Sequence, residues 1–218
     1  MIALNFNKLL GIIFLIIIFI FFTVSIHPID WGIKGGLVIS KLDSEVTITD
    51  SSSIKYRIFG LLGIMSVIDL YEKLDIQAEI LYVPKGGEYI ELPAPSLSDP
   101  EEEGPLMDIK TFLDVIEIPL ILKYNFYNKF KLYGGISFNY VIKAYSINDY
   151  SNYNTDMSEY FQKIGFGINI GAQYDLDNVQ FDIRYQKGIT NYYKIENTSS
   201  WENDLKLDSL FFTIGYLF

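Results

Sequence analysis

The sequence contains no cysteine and a single histidine among its 218 residues. Without cysteine there is no disulfide, no thiolate nucleophile and no thiolate-ligated zinc or iron–sulfur centre. One histidine, His27, cannot supply a clustered imidazole metal site, and its place beside the opening apolar segment argues against a Ser-His relay. Positive charge is scarce as well. Against 27 Asp and Glu stand 17 Lys and Arg, a net charge of −10, which argues against nucleic acid as a partner. Long helical stripes are missing downstream of the first 25 residues, and no later run reaches the length of a membrane-spanning helix. Apolar residues are plentiful, with 50% hydrophobic and 16% aromatic, so the chain is not a disordered one. Its length suits one domain, or one domain plus a targeting segment.

Residues 1–25 read as an export signal. Lys8 is their only charge, and Leu9 to Val24 then runs sixteen residues without another. A signal core needs roughly 7–15 apolar residues and a spanning helix roughly 20, so the run lies between the two. Thr23 and Ser25 are small residues placed at −3 and −1 of a cut after Ser25. An uncleaved inner-membrane anchor is the alternative. Both put the remainder outside the cytoplasm, with a signal peptide at 1–25 and one domain at 26–218.

That domain is written in period two, the mark of strands with two unlike faces. In Val179 to Gly188, Val179, Phe181, Ile183 and Tyr185 share one face, against Gln180, Asp182, Arg184 and Gln186. The stretches starting at Ile76, Ile116, Phe130, Ile164 and Ser209 repeat the pattern. Trp31 to Ser40 alternates weakly, and Ile58 to Leu70 is apolar on both faces, giving eight strands. Connections at about 43–55, 86–108, 146–160 and 190–204 are long and polar; those at 71–74, 125–129 and 176–178 are short. Strict long–short alternation is what a closed barrel in an outer membrane requires, with tight turns on one side and extended loops on the other. The second face is rich in Gly, Ser, Asn and Gln with scattered charges of both signs, as suits a crowded interior. A soluble lipocalin-type carrier would reverse the two faces. Trp31, Tyr124, Phe126, Phe130, Tyr174, Tyr216 and Phe218 mark one aromatic girdle, and Tyr82, Tyr140 and Tyr185 the other. The expected fold is all-β: an eight-stranded antiparallel up-and-down transmembrane β-barrel in the outer membrane of a diderm bacterium.

Gly32-Ile33-Lys34-Gly35-Gly36-Leu37, Gln77 to Tyr82 followed by Lys85-Gly86-Gly87, Ile116-Glu117-Ile118-Pro119-Leu120 and Leu132-Tyr133-Gly134-Gly135 resemble the PorT-like outer-membrane β-barrel domain family. The resemblance covers residues 31–218. It implies the barrel and says little about activity. It also implies that the terminal aromatic Phe218 is read by the barrel-assembly machinery. The apolar second strand and the proline-rich loop depart from the family pattern, so a secretion role is not carried over.

Eight charges fall on the expected lumen face: Lys34, Glu79, Glu117, Lys123, Lys131, Lys143, Asp182 and Arg184. Buried charges must pair or be hydrated, because an unpaired one costs several kcal/mol. Eight strands enclose just enough room for their own side chains, so a salt-bridged plug is expected rather than a general porin. Glu79 and Glu117 are the one carboxylate pair that invites an acid–base reading. Both sit in phase with lumen lysines, and ion pairing is the reading taken. No catalytic residue, cofactor or metal site is expected. Asp99, Glu101, Glu102, Glu103 and Asp108 cluster in the 86–108 loop without a calcium-loop motif. The loops at 146–160 and 190–204 combine tyrosine with small polar residues, a composition suited to binding surfaces. Expected partners are outer-membrane lipids, the barrel-assembly machinery and an external protein or polysaccharide met through the loops. A small-solute channel is the competing role.

Overall fold

A computed structural model describes residues 29–44, 55–91, 107–148, 153–192 and 205–218. The strands are β1 (Ile29–Ser44), β2 (Arg57–Tyr71), β3 (Leu74–Glu91), β4 (Met107–Tyr127), β5 (Phe130–Asn148), β6 (Tyr153–Asp156), β7 (Ile164–Leu176), β8 (Val179–Gly188) and β9 (Leu205–Leu217). All pairings are antiparallel. Neighbours run β4-β3-β2-β1-β9-β8-β7-β5, and β4 pairs with β5 to close the ring. Eight strands therefore form the transmembrane wall. The four residues of β6 add only to the loop-end tip of β5. Closure satisfies the backbone groups that hydrocarbon cannot.

The short connections are tighter than the sequence suggests, since the strands run almost to the turn. Glu72-Lys73, Asn128-Lys129 and Asp177-Asn178 are all that remain outside them. Asn128 and Asp177 take positive φ, 49° and 52°. Asn and Asp tolerate this left-handed region better than other side chains.

At the other end the strands outgrow the polar linkers. β3 continues to Glu91 and β4 begins at Met107, so the wall is tallest on this side and lowest at β8, ten residues long. Pro84 looks like a strand terminator but is tolerated. The β2–β3 ladder stops at Leu62–Tyr82, leaving no partner on that side for the missing N–H, while β4 pairs with Pro84 from the other. Ser40 spans the gap from β1, its hydroxyl donating to the Gly86 carbonyl and accepting from the Gly86 N–H, both at 2.8 Å.

The outward face is apolar along the middle of the wall. Ile33, Leu62, Ile80, Leu120, Ile136, Ile168, Ile183 and Ile214 are all 40–70% exposed, which in this fold means exposed to lipid. The expected girdle residues Trp31, Tyr124, Phe126, Phe130, Tyr216 and Phe218 stand outward at the turn end, and Tyr82, Tyr140 and Tyr185 toward the loops. The doubly apolar β2 has a simple cause: its inward Leu61, Met65 and Val67 are buried, forming an apolar flank of the lumen.

The segment read as a signal peptide, residues 1–25, lies outside the described residues. So do His27, the acidic run Asp99 to Glu103, and Trp201.

Candidate functional site

The lumen is filled from the turn end upward in layers, each built by side chains two residues apart on alternate strands. Nearest the turns, Lys131 on β5 reaches Asp75 on β3 at 2.6 Å and Asp175 on β7 at 2.9 Å.

The central layer is the densest. Glu79 on β3 accepts from Lys34 on β1 at 2.7 Å, and from one Arg184 nitrogen on β8 at 2.7 and 2.8 Å to its two oxygens. Lys34 also lies 3.6 Å from Asp182. Asp182 in turn accepts from the Tyr133 hydroxyl at 2.6 Å and the Thr213 hydroxyl at 3.1 Å. The guanidinium of Arg184 lies between the Tyr133 and Phe211 rings, 5.9 and 5.7 Å from their centroids. Lys123 on β4 donates to the side-chain carbonyls of Gln77 and Gln173, and among the described residues no carboxylate lies within ion-pair distance of it. In this layer three cations, Lys34, Lys123 and Arg184, face two acids.

One step higher, Lys85 meets Glu117 at 2.6 Å, and Gln186 donates to Glu117 at 2.7 Å and to Ser137 at 2.6 Å. Glu79 and Glu117 thus belong to different layers and share no partner. That arrangement serves ion pairing and gives no acid–base pair.

Above the third layer the chemistry changes. Leu113, Val115, Val141, Ala144, Phe161, Tyr192 and Leu207 form one buried apolar cluster. Val38, Leu61, Leu81, Val83 and Phe211 form a second, which lies lower, beside the central and third layers, since Leu81 is the register partner of Glu117 and Phe211 that of Arg184. Phe161 and Tyr192 come from the connections around β7 and β8, folded inward over the mouth. Gly165 makes room for the Tyr192 ring, since a Cβ there would stand 2.1 Å from its hydroxyl. That hydroxyl accepts from the Asn139 amide at 3.0 Å, and burial pushes it up to about 12. Outside this plug, the hydroxyl and then the backbone N–H of Ser158 hold the exposed Asp156 carboxyl below its usual value.

Seven of the eight charges expected in the lumen are brought together there: Lys34, Glu79, Glu117, Lys123, Lys131, Asp182 and Arg184. Lys143 is not. The β4–β5 register shifts between Asp114 and Val115, so Val141 and Ala144 face in with two residues between them, where strict alternation has one. Lys143 is turned outward and lies 5.5 Å from the Tyr145 ring. A bulge of this kind inverts facing beyond it and leaves no trace in the period-two pattern. Three functional members were not singled out from sequence. Lys85 was hidden by ending its strand at Tyr82, although inward parity continues through Val83 to Lys85. Asp75 and Asp175 keep the alternation of Gln77 and Glu79 and of Gln173, and alternation places Asp175 on the second face, but both sit at strand ends beside the turns and were not counted among the lumen charges.

What the arrangement does chemically follows from burial. Lys34, Glu79, Lys85, Glu117, Lys123 and Arg184 are each 0–1% exposed, leaving no water-sized space against them. Phe218, at the opposite extreme, is 74% exposed; its N–H donates to the Trp31 carbonyl at 2.9 Å and its ring meets Tyr216 edge-on at 5.8 Å.

Among solved structures the chain is similar to Neisserial surface protein A, at 16% identity and a TM-score of 0.49, covering 86% of this chain and 97% of that one. It is also similar to Ail, the attachment invasion locus protein of Yersinia pestis, at 13% identity and 0.47, covering 87% and 98%. OprG from Pseudomonas aeruginosa follows at 17% identity and 0.40, covering 88% and 97%. No curated protein matches at the sequence level. The family model of the outer membrane protein β-barrel domain matches residues 22–194. With that match and a closed eight-stranded wall presenting an apolar outer face, the chain belongs to the outer-membrane protein β-barrel domain family and resides in the outer membrane.

Proposed function

We propose that this protein is a non-enzymatic outer-membrane anchor, a sealed barrel that presents its long loops to an external protein, polysaccharide or other ligand. The observation that carries the reading is the lumen: three ion-paired layers under an apolar cap, with central charges 0–1% exposed. A conducting pore needs a wetted path, and charges lining one would be accessible to water. Within the family, the Gly32–Leu37 and Ile116–Leu120 motifs support a PorT-like branch. Phe218, which follows β9 with its side chain outward at the turn end, is the residue offered to the barrel-assembly machinery.

The test is conductance of the full chain in planar bilayers, with heat-dependent gel migration proving that it has folded. The expected result is a silent membrane. Reproducible open-channel steps from folded protein would overturn the reading and establish a small-solute channel instead.

A further inference from the structure

We infer that the outer wall carries a binding site for the phosphorylated headgroup of an outer-leaflet lipid, at a notch where β8 ends beside β9. This goes beyond the sealed-anchor reading and does not depend on whether the lumen conducts. β8 is the shortest wall strand, and its ladder with β9 stops at Gln186–Ser209. Above that pair the Gly188 N–H bonds the Asp208 side chain, at 3.3 Å, in place of a β9 carbonyl. Among the described residues β9 continues upward paired to β1 alone.

Two grooves flank the notch on the lipid side, of about 420 and 490 Å³. Tyr185 divides them, its ring 41% exposed and its hydroxyl fixed to Asp208 at 2.8 Å. One groove has Lys41 beside Ile39 and Leu210. The other has Lys187 and Lys206 with Ile168 and Ile170, which are 53% and 64% exposed; Lys187 stands level with Ile168 and above Ile170. The first groove therefore offers one cation and the second two toward the loop end, each beside an apolar floor on the wall. That is the layout of an amphiphile with an anionic head and acyl chains. Long loops of such barrels face outward, so the grooves open to the outer leaflet.

The charge balance favours an anion. Asp208 is buried and occupied by Tyr185 and Gly188, while Lys187, 3.5 Å from it, keeps 62% of its side chain exposed and has donors to spare. In the β1–β9 register Lys41 stands opposite Asp208 and Lys206 opposite Asp43, so among the described residues of the notch three lysines stand with two aspartates. A headgroup phosphate accepts several charge-assisted hydrogen bonds at once, and the chains supply burial that a free phosphate lacks.

The experiment is native mass spectrometry of the full chain released from detergent, with diphosphorylated lipid A as probe and phosphatidylcholine as reference. Lipid A is expected to be retained in preference to phosphatidylcholine. Removing the cations with K41Q/K187Q/K206Q should weaken retention about tenfold, and K187Q alone about threefold. K143Q, which removes an outward lysine elsewhere on the wall, should leave it unchanged. Heat-dependent gel migration confirms that each variant is folded, and K187Q carries the test if the triple variant is not. Equal retention of the two lipids, or equal loss in K143Q and the triple variant, would overturn the site. Displacement of lipid A by millimolar inorganic phosphate would overturn the lipid assignment and leave a phosphate site. Neither result bears on conductance, so failure here is distinct from failure of the anchor reading.

Discussion

The two ends of the lumen are packed by opposite chemistries inside one wall. Toward the turns, Lys34, Glu79, Asp182, Arg184 and Lys131 with its two aspartates fill the space with ions. Toward the loops, Leu113, Val115, Val141, Phe161, Tyr192 and Leu207 fill it as the core of a soluble protein would. The lesson is that lipid dictates only the outer face of a strand. Inside, an ionic and an apolar filling are both admissible, and the cost of damage depends on which filling is hit. An ionic layer fails by leaving a charge without its counter-charge, whereas an apolar layer fails by opening a cavity.

The sharpest way to separate the two ends is Glu79→Gln. It removes the acid that both Lys34 and Arg184 contact, leaving Asp182 to serve two cations, and should cost about 4 kcal/mol in urea unfolding of the micelle-folded barrel. A loss under about 1 kcal/mol would mean that water reaches the layer and that the ends do not differ as described. In the apolar end, Leu113→Ala should cost about 3 kcal/mol through the cavity it opens, with no dependence on salt or pH. Smaller again is Tyr133→Phe, which deletes the 2.6 Å hydrogen bond to Asp182 at about 2 kcal/mol.

Lys123 tests the comparison from the other direction. Among the described residues it is held by two glutamines and no carboxylate, so Lys123→Met should change stability by less than about 1 kcal/mol, the relief of a buried charge offsetting two carbonyls left unpaired. A loss as large as that of Glu79→Gln would show Lys123 to be an indispensable counter-charge.

The smallest effect lies outside both ends. The Asp156 carboxyl is held low by Ser158, so its contribution is present above the ordinary aspartate value and is lost as pH falls through the lowered one. Amide protection at Ser158 should fall in acid, and at neutral pH in Asp156→Asn, while urea unfolding of the barrel stays unchanged. A change in global unfolding would tie this turn to the wall.

Legibility in the sequence followed the same division. Lumen facing could be read from alternation for Lys34, Glu79, Glu117, Lys123, Lys131, Asp182 and Arg184, because a strand repeats every two residues whatever surrounds it. It failed for Lys143, where the β4–β5 bulge resets the phase, and for Lys85, where Pro84 and a glycine pair mimic a strand end. The loop-end cap was missed entirely. Phe161 and Tyr192 lie in stretches whose composition resembles a binding loop, and nothing local says that these rings turn inward.

The sequence by itself determined strand number, wall orientation and the sign of each face, since these follow from period, connection length and the demand that no polar backbone meet hydrocarbon. Only the tertiary structure decided which charges meet. Arg184 and Glu79 are 105 residues apart and reach each other only because closure brings β8 and β3 to opposite sides of one narrow lumen. Closure also set which inward residues share a height, and so which layers are ionic and which apolar. Stagger between strands is a property of the whole ring, and no single strand carries it.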